Sequence, residues 1–482
     1  MILIPFPAVF IILLFIAVIL MITFDMVDHT IAALIGAALV VVFLAQIWPT
    51  WQQNQILAFT DLLAHATTPD EITHYTQMIA RYSNFPAVFN ADVFSHFLGE
   101  WVDYPTIIVI LSLMVITEIA QDSGLFQYIA VRALRFSKGK PRRLLMVFCA
   151  ITFLMSTVLA TTVLIIGPLT ILACDALEQN PTPYLIANAM CGNAGGITTV
   201  IASVPCMLVA GATLYDFSWF AINLLPLGFL FLGLTILVAT RMFRRDFTTP
   251  RQTRVNDLMA LNAWTMVENR NVFYRTAILF VGMIVCFVIF GASGYTWVVA
   301  FLFAMLFVLL SGIEPKRIFR EVDWTALFFF LGLFIIVGAM EEFWVLTWIG
   351  DNVAQLTGNN PALSTVTMLW ITGFTSGAID NIPVTATLIP VARDLATITP
   401  SAAGSIWASL TIGAVLGGTL TPIASVANVM TMTVAERENR HISYGKFLRV
   451  GVIMFFLFLS VGMGYLLLRL FFLPIAPPLL PP

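Results

Sequence analysis

The stretch SGAIDNIPVTATLIP, residues 376–390, places Asp380, Asn381, Pro383 and Pro390 inside a segment that is otherwise apolar. A charged aspartate near the middle of a membrane span costs about 2.5–3.5 kcal/mol on the insertion scale, so it persists mainly where it meets a cavity, an ion or a partner. A carboxylate beside the acceptor oxygens of Asn381, Thr385 and Thr387 could hold a sodium ion or carry a proton, and Asp380 with Asn381 is the expected sodium position. Pro383 removes one backbone donor and disfavours helix at Ile382, which frees carbonyls to face a cation. The same aspartate could also do no more than cap the helix that follows it.

A second polar group follows in GGTLTPIASVAN, residues 417–428, with Thr419, Thr421, Ser425 and Asn428 around the pair Gly417-Gly418 and Pro422. Hydroxyl and carbonyl oxygens beside helix ends suit either sodium or a small anion. In the first half of the chain, STVLATT offers Ser156, Thr157, Thr161 and Thr162, and the segment after it offers Asn193, Gly195, Gly196, Thr198, Thr199 and Ser203. When the chain is laid on itself with Gly195 on Gly417, Val158 and Leu159 stand opposite Asp380 and Asn381, so the first half-site is expected to be neutral and the second charged. Glu118, Glu341 and Glu342 are candidate proton relays, with span ends and interfaces as the competing explanation. Cys174, Cys191 and Cys206 could be thiol ligands, but a buried cysteine more often serves as a small hydrophobe.

The elements that position these residues follow from composition. Of 482 residues, 60% are hydrophobic and only 10% charged, which makes the chain a polytopic membrane protein of all-α class. Residues 6–24 form an apolar run that no Lys or Arg precedes, read as a retained span and not a signal peptide. The five cysteines show no CxxC spacing, and HExxH, GxSxG and Walker patterns are missing, so an enzyme, an ATP-driven pump and a zinc domain all lose their usual signals. The net charge of -3 carries no nucleic-acid footprint, and no organic cofactor is expected, only Na+ or H+ as a coupling ion.

Lys and Arg concentrate at 132–143, 241–275, 316–320 and 437–449, which the positive-inside rule assigns to the cytoplasm. The stretch 49–105 carries six acids and one base, Arg81, as an exported loop would. Ten crossings then run at 6–24, 30–47, 106–122, 183–213, 218–240, 273–291, 295–311, 325–342, 402–433 and 446–470, with both termini outside. The segments 144–177 and 361–398 must begin and end on one side and are drawn as re-entrant hairpins, tolerated at membrane depth only where protein or water surrounds them.

The same self-alignment sets GGITTVIASV (195–204) on GGTLTPIASV (417–426), seven identities in ten. Five crossings separate equivalent points, an odd number, so the expected architecture is an inverted repeat of five spans plus one re-entrant hairpin each, with two broken helices. Duplication kept for glycine packing alone is the plainer account. The implied organisation is 1–48 scaffold spans, 49–105 an acidic external loop, 106–240 a first transport unit, and 241–272 a basic cytoplasmic linker. Scaffold spans at 273–324, a second transport unit at 325–470 and a tail at 471–482 complete it.

SGAIDNIPVTATLIP followed by LGGTLTPIASVANV resembles the second-half signature of the ion transporter superfamily, in the citrate-transporter-like branch of arsenite permeases, NhaD-type antiporters and the melanosomal P protein. ATTVLIIGP and NPTPYLIANAMCGNAGGITTVIASVP resemble that branch's first-half segments, and the resemblance spans about residues 100–460. It implies an elevator-type transporter, a homodimer in the lipid bilayer, and a site lined by Asp380, Asn381, Thr385, Gly417, Gly418, Thr421 and Asn428 with Thr161, Thr162, Asn193, Gly195, Gly196 and Thr199. The expected function is secondary transport of a small inorganic or carboxylate ion, an anion or oxyanion, across a bacterial inner membrane. A sodium/proton antiporter is the nearest alternative, an ion channel the next, and a receptor the last.

Overall fold

The computed structural model describes all residues except 1–5, 24–26, 87, 160–161, 214, 249–262, 291–294, 359, 439 and 476–482. Every regular element among the described residues is helical. Packing divides the chain into one unit of Met1–Asp103 with Trp324–Trp348, and a second of Tyr104–Asp323 with Ile349–Pro482.

In the first unit α1 (Phe6–Thr23) and α2 (His29–His65) precede two shorter helices, α3 (Pro69–Ser83) and α4 (Ala91–Trp101). The apolar pattern ends the second span at 47, yet α2 continues through Pro49 to His65. The side chains on either side of the proline tie this stretch to residues 82–86: Trp48 donates from Nε1 to the Pro86 carbonyl at 3.1 Å, and Gln52 donates from Nε2 to the Tyr82 and Phe85 carbonyls at 2.6 and 2.8 Å. The expected loop 49–105 is therefore largely helical, closed over Trp48, Phe85, Phe97 and Trp101. Helix α3 begins on a capping box in which Thr68 accepts from the Glu71 N–H, while backbone N–H groups of Thr67 and Thr68 hold the exposed Glu71 carboxyl below its usual range.

The Trp324–Glu342 helix completes this unit. Its glycines explain the fit: a Cβ on Gly332 would sit 2.8 Å from the Ala33 carbonyl oxygen, and one on Gly338 would enter the Trp101 ring at 2.1 Å. Helix backbones thus approach closely, as small residues allow in lipid, where apolar burial alone does not hold helices together. The division by sequence places residues from 325 onward with the second transport unit, whereas packing groups this helix with the N-terminal ones.

Numbering continues through the second unit with α5 (Tyr104–Asp122), α6 (Leu125–Leu134), α7 (Pro141–Ser156), α8 (Thr162–Ala176), α9 (Thr182–Gly195), α10 (Val204–Thr213) and α11 (Phe217–Met242). Next come α12 (Arg270–Phe290), α13 (Thr296–Ser311) and α14 (Pro315–Glu321). With the Trp324–Glu342 helix as α15, the series ends in α16 (Val345–Thr357), α17 (Pro361–Ala378), α18 (Asn381–Ile398), α19 (Ala403–Gly417), α20 (Val426–Arg437) and α21 (Tyr444–Phe472). The order α5 to α11 recurs as α15 to α21. Both leading helices have 19 residues, and both α7 and α17 start on a proline, Pro141 and Pro361. The helices α6 and α16 of this series have no counterpart among the spans read from the sequence.

Each segment drawn as a hairpin is a helix pair joined by a short turn, α7 with α8 and α17 with α18, and each broken span is a tandem pair, α9 with α10 and α19 with α20. Gly413 and Gly417, one helical turn apart on α19, lie against the α17 backbone, where added Cβ atoms would meet the Leu369 and Gly373 oxygens at 2.8 and 2.5 Å. The first half repeats the contact: a Cβ added to Gly195 would meet the Phe153 oxygen and the Ser156 Cβ at 2.6 and 2.8 Å. Threonines inside the helices turn their hydroxyls onto the carbonyl four residues back, as Thr170, Thr385, Thr411 and Thr431 do, which removes the cost of an unpartnered hydroxyl in an apolar interior. Among the described residues six helices are long and apolar enough to cross a membrane, α2, α5, α11, α12, α15 and α21, and shorter apolar helices cover α1, α8, α10 and α13.

Candidate functional site

The breaks of the second unit converge on a cavity of about 50 Å³. Room for one water needs roughly 10–15 Å³ by the same measure, so the space suits a few waters or a small ion. The first residues of three helices line it: Val204 and Pro205 of α10, Asn381 and Ile382 of α18, and Val426 and Ala427 of α20, with the capping Ser425 beside them. Residues at the ends of two others, Ser156 of α7 and Asn193 of α9, contribute to the wall with Gly196 and Ser203. No lining residue carries a formal charge.

Of the residues singled out by sequence, Ser156, Asn193, Gly196, Ser203, Asn381 and Ser425 line this cavity. Asn381 is 6% exposed, and its carboxamide makes no hydrogen bond among the described residues. Asp380 is not in the lining. Its carboxylate accepts from the Ile382 N–H at 2.8 Å, which makes it the N-cap of α18 and places the charge at the edge of the site. Thr385 is fully buried and bonded within its own helix, and Thr162 donates to the Leu159 carbonyl at 2.7 Å. Gly195 and Gly417 serve helix contact, and neither lines the cavity; a Cβ on Gly418 would meet Ser425 at 2.9 Å. Thr161 lies outside the described residues.

The two breaks share one construction. Thr421 donates to the Gly377 carbonyl at 3.1 Å and Thr199 donates to the Thr157 carbonyl, so each break is latched to the turn of its neighbouring helix pair. The latches match Thr157 with Gly377, and the glycine contacts match Ser156 with Ser376, a register two positions shorter than the one that matches the breaks. In the register of the turns, the residues equivalent to Asp380 and Asn381 are Ala160 and Thr161, and not Val158 and Leu159; Ala160 and Thr161 lie outside the described residues. Asn428, fully buried, donates to the Gly418 and Thr421 carbonyls at 2.7 and 2.8 Å. Its counterpart Cys206 donates from Sγ to the Gly196 carbonyl at 3.2 Å, joined there by the Ser203 hydroxyl at 2.7 Å.

A family model described as citrate transporter matches residues 12–413. The chain belongs to the citrate transporter family. Members are membrane transporters, not enzymes, and this assigns the chain to the ion transporter superfamily its motifs resemble. Among curated proteins, an uncharacterized transporter of Mycobacterium tuberculosis is 32% identical over 79% of this chain and 89% of its own length. A 46 kDa membrane protein of Mycobacterium leprae is 31% identical over 80% and 90%. The human P protein is 26% identical over 76% of this chain but only 54% of its own length. Among solved structures, the Alcanivorax borkumensis YdaH transporter superposes with a TM-score of 0.56 over 90% of this chain and 99% of its own, at 13% identity, a likeness of fold.

For this citrate transporter family member, sequence reasoning missed a second polar cluster in the first unit. Glu342, 7% exposed at the end of α15, accepts from the Tyr82 hydroxyl at 2.9 Å and pairs with Arg81 at 3.3 Å, while Arg81 also pairs with Glu100 at 2.7 Å and His96 with Glu100 at 3.0 Å. Burial, with the Glu342 charge beside it, pushes the Tyr82 phenol well above its usual value. The sequence offers Glu341 and Glu342 together; the structure leaves Glu341 exposed and buries Glu342. The available signal was Arg81, the single base of an acidic stretch. Glu118 is half-buried in α5.

Proposed function

We propose that the chain is a secondary active transporter that moves a small anion, inorganic or carboxylate, together with a sodium ion or proton. The observation that carries this reading is a neutral cavity bounded by three helix starts and two helix ends drawn from both halves. Helix N-termini present unbonded N–H groups and partial positive charge, each worth about 0.3–1 kcal/mol to an anion and more when buried. Helix ends offer the opposite sign to a cation, the arrangement that discontinuous helices give transporters. Asp380, next in sequence to the cavity-lining Asn381, supplies the charge that couples the two.

The repeated order of helices supports an inverted repeat, in which the α7–α8 and α17–α18 pairs are re-entrant hairpins carried by an elevator movement in a homodimer. Both termini then lie outside a bacterial inner membrane. A sodium/proton antiporter is the second reading, favoured by the carboxylate beside Asn381, with the cation itself as cargo.

Thermal unfolding of the purified protein across a sodium series, with potassium holding ionic strength constant, tests the coupling site. A ligand at ten times its dissociation constant adds roughly 1.4 kcal/mol. Sodium-specific stabilisation lost in Asp380→Asn supports the reading, because asparagine caps a helix as well as aspartate does and the fold is retained. Stabilisation that persists unchanged in that variant removes Asp380 from the site. In proteoliposomes, sodium flux exchanged against a pH gradient with no anion present selects the antiporter.

A further inference from the structure

Asn428 touches both halves of the site without lining it. Its Oδ1 accepts from the Asn193 Nδ2 at 3.0 Å, while its own Nδ2 donates to the Gly418 and Thr421 carbonyls, so one buried side chain joins the break after α9 to the break after α19. In the register that matches Gly195 with Gly417, the partners of Asn193 and Asn428 are Val415 and Cys206. Neither is a carboxamide, and among the described residues the Cys206 thiol bonds within its own break, to Gly196 and Ser203. The cross-link between halves is therefore made once, on one side of the repeat.

We infer that Asn428 is a positioning residue, an inter-repeat clasp that fixes the first-half break relative to the second. Both Nδ2 hydrogens are taken by carbonyls and Oδ1 by Asn193, so the group has no free donor for a ligand. A carboxamide that bonds two carbonyls and a facing donor in a dry interior sets geometry; the Gly418 carbonyl would lose its partner without it, and the Thr421 carbonyl would keep only the long 3.5 Å bond from the Ala424 N–H. The role rests on the transport reading only in that the cavity held between the breaks is the ligand site; the clasp itself is testable without a ligand.

Cys206 supplies the readout. Its thiol is fully buried in the first-half break and bonded to the carbonyl of Gly196, which follows Asn193 closely in the chain. In a variant keeping Cys206 alone, with Cys149, Cys174, Cys191 and Cys286 changed to Ala, Asn428→Ala is expected to raise the N-ethylmaleimide labelling rate about tenfold. Asn193→Ala should raise it too, and the double variant should label no faster than Asn428→Ala alone, since Asn428→Ala already deletes the one contact that Asn193→Ala removes. A parallel variant keeping Cys149 alone, buried in α7, should stay protected. Unchanged Cys206 labelling in Asn428→Ala, additive rates in the double variant, or equal exposure of Cys149 would each overturn the clasp. Absence of any sodium effect on stability would instead count against the coupling site and leave these rates untouched, so the two failures are separable.

Discussion

Substituting alanine for Gly417 tests the helix contact on which the second half of the site is built. The new Cβ would lie 2.5 Å from the Gly373 carbonyl oxygen and 2.9 Å from the Ser376 Cβ. A carbon normally approaches a carbonyl oxygen no closer than about 3.3 Å, so α17 and α19 must separate by roughly 0.8 Å. Neither obstacle is the far end of a flexible side chain; one is backbone and the other a Cβ. With both obstacles rigid, the cost lies at the upper end of the overpacking range, about 3 kcal/mol, and the helix gains back about 0.5–1 kcal/mol from alanine, leaving a net loss of about 2 kcal/mol. At about 2.1 cal/mol/K of unfolding entropy per residue, a chain of 482 residues loses roughly 1 °C per kcal/mol, so the melting temperature falls by about 2 °C. Differential scanning fluorimetry in detergent reads it directly, with Gly464→Ala as the control, since a Cβ there meets nothing within 4 Å. A Gly417→Ala protein that melts within about 1 °C of the parent would refute the close-contact account, because no relaxation that small accommodates a Cβ at this distance.

Gly195→Ala should behave like Gly417→Ala, since its Cβ would meet the Phe153 oxygen at 2.6 Å; a silent Gly195 would break the structural equivalence of the two halves in fluorimetry. Glu342→Ala removes the acceptor of Tyr82 and one partner of Arg81, and is expected to cost about 2 kcal/mol, below the usual loss for a buried pair because Arg81 is one-third exposed and keeps Glu100. Thermal unfolding that shows no difference between that variant and the parent would remove the cluster as a fastening of the 49–103 segment. Thr199→Val and Thr421→Val each delete one latch and should each cost about 1 kcal/mol, with faster hydrogen exchange at the turns they hold. At α3 the lowered carboxyl pKa of Glu71 means its capping contribution is present above the ordinary glutamate value of ~4.3 and is lost as pH falls through the folded value. Protection of the amides in 69–83, taken relative to their intrinsic exchange rates at each pH, should therefore fall on acidification in the parent and show no such step in Glu71→Gln.

What the sequence reveals here, and what it hides, divides along physical lines. The hairpin 361–398 and both breaks are legible because Gly-Gly, Pro and a cluster of Ser, Thr and Asn have no other reason to interrupt an apolar run. The self-alignment anchored on the Gly-Gly pairs finds equivalent breaks, yet misregisters the hairpin turns by two, because identity is concentrated in the breaks and the turns carry little of it. Polar type alone also cannot say which side chains face the cavity. Asn381 lines it with its carboxamide uncommitted, while Asn428, of the same type, is consumed by two carbonyls and Asn193. The helical nature of 49–105 is obscured by its charge, which reports watery surroundings and says nothing about local conformation. The aromatic cluster under it, Trp48 to Trp101, is a tertiary feature with no short-range signature.

Helix α2 has 37 residues and so measures about 55 Å, against a hydrocarbon layer of about 30 Å. Its length exceeds that thickness by about 25 Å, and the part after Pro49 is braced by α3 and by the Gln52 and Trp48 hydrogen bonds. Small transporters are hard to align in electron micrographs because nothing emerges from the detergent belt. This one carries its own landmark, and a binder raised against α3 and α4 would enlarge it.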